Sequence, residues 1–190
     1  EHLRLWQDAR LCRHLHLPLQ SGSDTVLRRM KRRYDAAEFA RVVESARRIV
    51  PEIAITTDVI VGFPGETESE FEDTLRFVES MRFRKVHVFP YSSREGTEAA
   101  AFPDQIAPGV KQERVRRLAQ VARQSEAAFC AQFIDRTVEV LWETQLDGEW
   151  SGLTDHYVRV RARSPLDLRN SITPVCITSV GATELYGYIP

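Results

Sequence analysis

The sequence predicts an α/β layer followed by a small all-β barrel, and three observations lead to this fold class. Residues 53–81 change from a run of β-branched residues to a helical period, with glycines at the point of change. Strand and helix patterns alternate three times before residue 108, which indicates right-handed crossovers and a parallel sheet. From Thr137 the pattern changes to five short strands, typical of an OB-like barrel. We therefore predict two domains, residues 1–136 and 137–190.

Composition excludes several classes of protein. The 190 residues are 43% hydrophobic and 28% charged, which suits one ordinary domain or two small ones. No apolar run approaches the ~20 residues of a membrane helix, so we expect a cytoplasmic protein without a membrane partner. The net charge is -1, so any nucleic-acid contact must come from local basic patches. The chain begins at Glu1 within charged sequence, and we expect it to be a fragment.

The first predicted strand ends in a polar turn. Leu15, Leu17 and Leu19 alternate with polar residues and Pro18, and Gln20 and Ser21 follow. In a parallel α/β sheet this end of a strand holds ligands, so we expect the turn to contact one. His14 and His16 share a strand face, but no further ligand is spaced to complete a metal site, and we predict no metal here.

A basic run follows the turn, from Arg28 to Arg33. Such a run is usually a solvated face, and cations also suit the end of a helix. Because Lys and Arg clusters supply the sequence-independent part of nucleic-acid affinity, a phosphate-binding patch is the alternative.

The central stretch reads as strand, turn and helix. Its β-branched run ends at Gly62-Phe63-Pro64-Gly65, and Thr67 with Glu70 forms the pattern of a capping box. A further strand around Val86–Phe89 runs into a polar loop. All three predicted strands therefore end in polar loops on one side of the sheet, although a plain βα turn is an equal alternative for Gly62–Glu66.

One strand of the predicted barrel carries a basic face. Tyr157, Arg159, Arg161 and Arg163 alternate with apolar residues, which places an aromatic ring and three cations on one side. This pattern favours a nucleic-acid-binding stripe. An exposed strand face with solvating arginines carries equal weight.

Three long motifs in order resemble the radical-SAM methylthiotransferases. They are HLPLQSGSD at 16–24, TTDVIVGFPGET at 56–67 and HVFPYSSREGT at 87–97. Within that family the chain is most similar to the branch that methylthiolates threonylcarbamoyladenosine beside the tRNA anticodon. The resemblance covers essentially the whole chain, and it likens the final barrel to the family's TRAM domain, an RNA-binding module.

The resemblance implies a transferase that uses S-adenosylmethionine and two [4Fe-4S] clusters. The cysteine motifs that ligate both clusters in the family are absent, since Cys12, Cys130 and Cys176 match neither set. We therefore expect the C-terminal half of a radical-SAM partial (βα) barrel with its TRAM domain, inactive alone. Its expected partners are the missing N-terminal half of the same polypeptide and the anticodon stem-loop of tRNA, with no DNA.

The resemblance also implies which residues form the sites. Asp58, inside an otherwise β-branched run, is the candidate catalytic residue, because a buried carboxylate needs a partner or a task. The arginine at position 94 is similar to the tRNA-modifying branches of the family. The resemblance therefore implies that Arg94, like the four barrel residues, contacts RNA. The implied cofactor-binding positions are Gln20, Ser21, Gly62, Phe63, Pro64, Gly65, Glu66, Phe89, Tyr91 and Ser92.

Other functions remain open at this point. Within the family, the substrate is alternatively isopentenyladenosine or an aspartate of a ribosomal protein. A non-catalytic RNA-binding module that uses only residues 137–190 is a second class. An unrelated (βα) enzyme with phosphate-binding loops is a third, and it leaves the five-strand tail without an explanation.

Overall fold

A computed structural model describes residues 5, 6, 8 and 10–190. Its contacts divide the chain into two compact units. One unit, the α/β unit, comprises His16–Arg48 and Ile55–Ser125. The other, the barrel unit, comprises Glu126–Pro190 with Ile49–Ala54 and the described part of residues 1–15. Among the described residues, no helix has the length and apolar character that crossing a bilayer requires.

The α/β part is a three-stranded sheet in the order β1-β2-β3. The strands and helices alternate along the chain, as the sequence predicts: β1 His14–His16, α1 Asp24–Arg29, α2 Ala36–Ile49, β2 Ala54–Val61, α3 Glu68–Met81 and β3 Lys85–Pro90. β2 and β3 are parallel, with Asp58 opposite His87 and Ile60 opposite Phe89. A 3-10 turn at Glu98–Ala101 and the long helix α4, Pro108–Ala131, complete this part.

Two of the helix starts follow the capping pattern of the sequence. Thr67 and Glu70 form the predicted reciprocal capping box at α3. Asp35 and Glu38 exchange the same pair of hydrogen bonds before α2, at 3.1 and 2.7 Å. The start of α1 differs from these two. Ser23 occupies the N-cap of α1, but its hydroxyl lies 2.9 Å from the Thr25 hydroxyl and makes no capping bond.

The first strand is shorter than its alternating pattern predicts. The Leu17 N–H still donates to Thr56 O at 2.9 Å, but beyond it the ladder is replaced by the side chain of Thr57, whose hydroxyl donates to Leu17 O at 2.6 Å and accepts the Leu19 N–H at 2.9 Å. Pro18 has no N–H to offer a neighbour. Pairing resumes only as an isolated parallel bridge between Gln20 and Val59.

The five predicted strands near the C-terminus form a closed barrel in the order β4-β5-β6-β8-β7. They are β4 Thr137–Leu146, β5 Glu149–Thr154, β6 Arg159–Arg163, β7 Ile172–Val180 and β8 Glu184–Tyr188. The core holds Trp142 and Trp150, with buried aliphatic residues from β4, β6, β7 and β8. The seam between β6 and β8 is the one parallel pairing of the barrel. It has three residue pairs, from Arg159 with Glu184 to Arg161 with Tyr186. That seam closes the barrel.

Candidate functional site

The site lies at the carboxyl edge of the three-stranded sheet, where the loops after β1, β2 and β3 lie side by side. Parallel α/β sheets hold their ligands at this edge, because the loops after the strands converge there. The structure places the turn at Gln20, the loop Gly62–Glu66 and the segment Phe89–Ser92 in these positions.

Gln20 has a backbone conformation that non-glycine residues rarely adopt. Its φ is 70°, its N–H donates to Asp58 O at 2.8 Å, and its carbonyl accepts the Ile60 N–H at 2.9 Å. A left-handed conformation of this kind costs on the order of 1 kcal/mol and persists where surrounding bonds over-determine it. The half-buried Gln20 side chain therefore leaves the sheet edge in a direction that a regular strand would not give.

Asp58 belongs to a polar cluster on one face of the sheet. His16 Nε2 lies 3.2 Å from Asp58 Oδ2, and His16 Nδ1 lies 2.9 Å from the Thr56 hydroxyl. An ionised Asp58 accepts only, so Nε2 carries the proton and, in a neutral ring, Nδ1 accepts from Thr56. The His87 ring packs edge-on to His16 at 6.2 Å. His16 thus holds the carboxylate of the candidate catalytic residue, which is 29% exposed.

Ser21 is fully buried and does not face this cluster. Its hydroxyl lies 3.2 Å from the Thr74 hydroxyl on α3, which also accepts the Gly22 N–H at 3.1 Å. A Cβ at Gly22 would come within 2.8 Å of the Thr74 Cα, so only glycine allows this close approach. The serine and glycine of the first loop therefore anchor it to α3.

The buried carboxylate of Glu66 fixes the loop Gly62–Glu66 from within. Glu66 Oε2 accepts the Gly62 N–H at 2.6 Å and Arg114 Nη1 at 2.8 Å, and Arg114 Nη1 also donates to Glu66 O at 3.0 Å. The two side chains are 0% and 5% exposed. Burial raises the pKa of Glu66 above its usual range, and the bonds from Gly62 and Arg114 oppose that rise only in part. Glu66 therefore shapes the loop from inside.

Aromatic rings line the outer side of the same loop. Phe63 is buried edge-on against Tyr91 at 5.2 Å and against Phe102 at 6.2 Å. Lys111 on α4 donates to Tyr91 O at 3.0 Å and lies 5.1 Å from the centre of the Tyr91 ring. The other positions after β3 are open, since Phe89 is 49% exposed and Ser92 is exposed. Pro64 is buried within the loop.

Glu70 joins the first two loops. Its carboxylate accepts from the Thr25 hydroxyl at 2.5 Å, from Arg29 Nη2 at 2.8 Å and from the Thr67 N–H at 2.8 Å. Burial by itself would raise the pKa of Glu70, but the bonds from Arg29, Thr25 and Thr67 outweigh it and lower the pKa to about 2. The ionised carboxylate therefore favours the folded state.

We expect this carboxylate to make the stability of the α/β unit depend on pH. Because the folded pKa is lowered, the stabilisation is present above the ordinary glutamate value of 4.5 and is lost as the pH falls through about 2. Across this pH range, the free energy of unfolding in urea should change by about 2 kcal/mol less for Glu70→Gln than for wild type. Glu44→Gln, at an exposed position of α2, is the matched control and should leave the dependence unchanged. Parallel curves for wild type and Glu70→Gln would contradict this account.

The basic face of the barrel is largely occupied by carboxylates. Arg161 donates hydrogen bonds to Glu184 at 2.6 Å and to Glu149 at 3.2 Å. These two carboxylates, Glu184 more than Glu149, raise the pKa of Arg161. Arg159 bonds Glu143 at 3.2 Å and the Ser151 hydroxyl at 2.9 Å. Arg163 is exposed at the end of β6.

Tyr157 lies outside β6, although the prediction placed it on that strand with the three arginines. It lies in the turn before β6 with φ of 58°, and its ring stacks on His14 at 4.6 Å with an interplanar angle of 28°. Nearby in the same unit, Arg13 bonds Asp155 at 2.6 Å. Arg94, the remaining candidate RNA contact, is exposed in the loop after β3.

The three cysteines do not assemble a metal site. Cys12 is exposed, Cys130 is buried and Cys176 is half-buried. Among the residues that the structure describes, no group of three His, Cys, Asp or Glu side chains is placed to hold a metal ion. An iron–sulfur cluster needs several thiolates at short spacing, so the described residues do not fit either cluster.

Several residues of the site have no signal in the sequence. Arg114 and Lys111 contact the central loop from α4, and Arg29 meets Glu70 across 41 positions of the chain. Only a three-dimensional arrangement brings such distant residues together. His16 stands out in the sequence because it lies on the strand that leads into Gln20. Its spacing from His14, however, suggests a metal ligand and not a partner for Asp58.

The chain is similar to known proteins over most of its length. Residues 1–78 match the model of the Radical SAM superfamily. A threonylcarbamoyladenosine tRNA methylthiotransferase of Bacillus subtilis is 40% identical over 177 residues, covering 90% of this chain and 39% of that protein. A tRNA-2-methylthio-N(6)-dimethylallyladenosine synthase of Chloroflexus aurantiacus is 40% identical, covering 91% and 38%. Another from Thermobifida fusca is 50% identical over 127 residues, covering 67% and 26%.

The chain spans about two fifths of the length of the first two of these relatives. Among solved structures, coproporphyrinogen III oxidase from Escherichia coli, a radical SAM enzyme, superposes with a TM-score of 0.53 at 22% identity. The match covers 65% of this chain and 30% of the oxidase. This likeness supports the fold alone.

Proposed function

We propose that this chain, a relative of the radical-SAM tRNA methylthiotransferases over most of its length, is the C-terminal part of an enzyme of that kind. The similarity to the Bacillus subtilis methylthiotransferase across 90% of the chain carries the proposal. The three loops at the carboxyl edge of a parallel sheet support it, because that edge is where such a fold holds its ligands. The reaction adds a methylthio group to a modified adenosine next to the anticodon.

Threonylcarbamoyladenosine is the substrate that we favour. The motifs of the sequence resemble that branch, and the name of the Bacillus subtilis relative agrees with it. The second candidate is dimethylallyladenosine, also called isopentenyladenosine. It is supported by the relatives from Chloroflexus aurantiacus and Thermobifida fusca.

S-adenosylmethionine is the proposed cofactor, and the sheet edge offers the chemistry that would hold it. Bound there, it would supply the methyl group and the radical that activates the substrate carbon. The half-buried Gln20 offers hydrogen bonds, the exposed Phe89 offers an apolar wall, and Ser92 offers a hydroxyl. The loop Gly62–Glu66 adds backbone groups, although the N–H groups of Gly62, Gly65 and Glu66 are bonded internally, as is the Glu66 side chain. The two [4Fe-4S] clusters would be ligated in the N-terminal part, because the described residues here do not fit them.

Asp58 is the proposed catalytic residue. Its Oδ2 is held by His16, and its Oδ1 has no hydrogen bond from the described residues, so that oxygen is available to a ligand on the sheet face. For RNA, Arg163 and Arg94 are exposed, whereas Arg159 and Arg161 would have to exchange their carboxylate partners for phosphates. Tyr157 would have to leave His14 to stack on a base.

The test uses the longer polypeptide that contains this chain, purified without oxygen and reconstituted with iron and sulfide. It is incubated with S-adenosylmethionine and tRNA that carries either modified adenosine, and the nucleosides are analysed by mass spectrometry. We expect the methylthio product on threonylcarbamoyladenosine from the longer polypeptide and none from the 190-residue chain.

An Asp58→Asn variant of the longer polypeptide should lose at least about tenfold in rate if Asp58 acts in the reaction, because tenfold corresponds to one modest polar contact. Its affinity for tRNA should not change. Product on dimethylallyladenosine alone would assign the second candidate. No product on either tRNA, with both clusters present by visible absorbance, would overturn the proposed function.

A further inference from the structure

One side of the three-stranded sheet carries a row of three ionisable side chains, one from each strand. They are His16 of β1, Asp58 of β2 and His87 of β3, and we call them the polar row. Asp58 and His87 are direct partners in the register of β2 and β3, so their side chains leave the sheet on the same side. His16 lies on that side too, because its Nε2 is 3.2 Å from Asp58 Oδ2 and its ring centre is 6.2 Å from that of His87.

The polar row lies on the open side of the sheet. Along β2, Asp58 and Ile60 are half-buried, whereas Val59 and Val61, which point to the other side, are fully buried. The next pair toward the carboxyl edge is apolar, since Ile60 is opposite Phe89, which is 49% exposed. Two residues along a strand span ~6.6 Å, so the polar row lies one short step inward from the proposed cofactor contacts at the edge.

Hydrogen bonds within the protein use only part of the polar row. Both ring nitrogens of His16 are engaged, Nδ1 with the Thr56 hydroxyl at 2.9 Å and Nε2 with Asp58. By contrast, Asp58 Oδ1 and the two ring nitrogens of half-buried His87 have no hydrogen bond in the part of the chain that the structure describes. A carboxylate oxygen accepts, and a neutral imidazole donates once and accepts once. The row therefore has room for a ligand that brings both donors and acceptors.

The two candidate adenosines differ in what they offer these atoms. Both carry an N6–H, but the dimethylallyl substituent is otherwise a hydrocarbon. The threonylcarbamoyl substituent adds an N–H, a hydroxyl and a carboxylate. A ligand that covers the polar row takes water from Asp58 Oδ1 and the His87 ring, and that is costly unless hydrogen bonds replace the water. The polar substituent can make those bonds, and the hydrocarbon cannot.

We propose that the polar row binds the N6 substituent of the modified adenosine and that His87 is the residue that selects threonylcarbamoyladenosine. The His87 ring donates to the substrate carboxylate, and Asp58 Oδ1 accepts from an N–H or O–H of the same substituent. His16 fixes the other oxygen of Asp58, which sets the direction of that acceptor. The inference rests on the proposed function and deepens it, because it assigns the choice between two substrates to a named side chain.

The test compares binding of two tRNA anticodon stem-loops to the longer polypeptide, one with threonylcarbamoyladenosine and one with dimethylallyladenosine, by fluorescence anisotropy without S-adenosylmethionine. All contacts outside the modified base are common to both RNAs, so the ratio of the two dissociation constants isolates the substituent. We expect wild type to bind the threonylcarbamoyl RNA about tenfold more tightly, as for one hydrogen bond to a charged group. His87→Phe keeps an aromatic ring but removes both nitrogens, and it should bring the ratio close to one.

Two further variants and one substrate analogue make the comparison specific. His87→Gln retains a donor and an acceptor and should keep most of the wild-type preference. His14→Phe makes the same chemical change at a ring that stacks on Tyr157, 4.6 Å away in the barrel unit, and should leave the ratio unchanged. The analogue has a hydrogen in place of the substrate carboxylate and covers the case in which His87→Phe does not fold. It should bind wild type about tenfold more weakly than the natural substituent.

A ratio for His87→Phe equal to that of wild type would overturn the inference, as would equal affinity of wild type for the natural substituent and its decarboxylated analogue. Equal affinity of wild type for the two modified stem-loops contradicts it as well. These results leave the proposed function standing, because methylthio transfer by the longer polypeptide decides that question separately.

Discussion

Glu66→Ala is expected to destabilise the α/β unit by about 3–5 kcal/mol, because it leaves a buried guanidinium without its counter-charge. Arg114 is 5% exposed, and two of its hydrogen bonds reach Glu66, one to the side chain and one to the backbone carbonyl. The variant also removes the acceptor of the Gly62 N–H and so loosens the loop at the sheet edge. Urea unfolding followed by far-ultraviolet circular dichroism measures the loss.

Glu68→Ala provides the matched control for that experiment. Glu68 also pairs with Arg114, but its side chain is 58% exposed. An exposed ion pair contributes at most about 1 kcal/mol, so this variant should stay close to wild type. Equal losses from Glu66→Ala and Glu68→Ala would show that burial of the pair does not matter to the loop. A conservative Glu66→Gln variant should fall between the two, since its amide oxygen can still accept the Gly62 N–H.

Gly152→Ala should produce the second large effect, this time in the barrel. A Cβ at this position would lie 2.4 Å from the Leu141 carbonyl oxygen and 2.7 Å from Val140 Cγ1. The oxygen belongs to the paired strand β4, so relief requires a shift of backbone in a closed barrel. We expect a loss of about 3 kcal/mol, at the upper end of overpacking effects. Trp142 and Trp150 are buried in this core, so their fluorescence reports the unfolding.

Gly148→Ala separates steric contact from backbone conformation. Gly148 has φ of 78°, but a Cβ added there would meet no atom within 4 Å. The expected loss is only about 1 kcal/mol, the usual cost of a left-handed conformation for alanine. If Gly148→Ala destabilises the barrel as much as Gly152→Ala, the close approach of β5 to β4 is not what requires glycine at 152.

The regular elements of this chain could be predicted because their signals are local. The capping box of Thr67 and Glu70 and the β-branched run of β2 involve residues within a few positions of each other. The length of β1 could not be predicted, since the Thr57 hydroxyl that replaces its ladder comes from a strand 38 positions away. Tyr157 fitted the period of β6, yet its left-handed φ takes it out of the strand.

The candidate site divides in the same way. Sequence patterns placed the three loops at one sheet edge, because parallel strands leave no other arrangement for their carboxyl ends. They did not show which side chains point inward. Ser21 and Glu66 carry polar groups at loop positions, but both side chains form hydrogen bonds within the protein. Ser21 bonds Thr74, and Glu66 bonds Arg114. Those partners lie on α3 and α4, and nothing local to the loops reveals them.

We expect the short parallel seam between β6 and β8 to be the first pairing that opens when the barrel unfolds. Its three residue pairs are fewer than those of every other pairing around the barrel, and Arg161 bridges it to Glu184 at 2.6 Å. Fluctuations that open the barrel should therefore begin between β6 and β8 and leave an antiparallel ribbon of all five strands, β6-β5-β4-β7-β8, otherwise intact. A phosphate that captured Arg161 would remove the bridge to Glu184, so an anion bound to this face would weaken the seam at which the barrel opens.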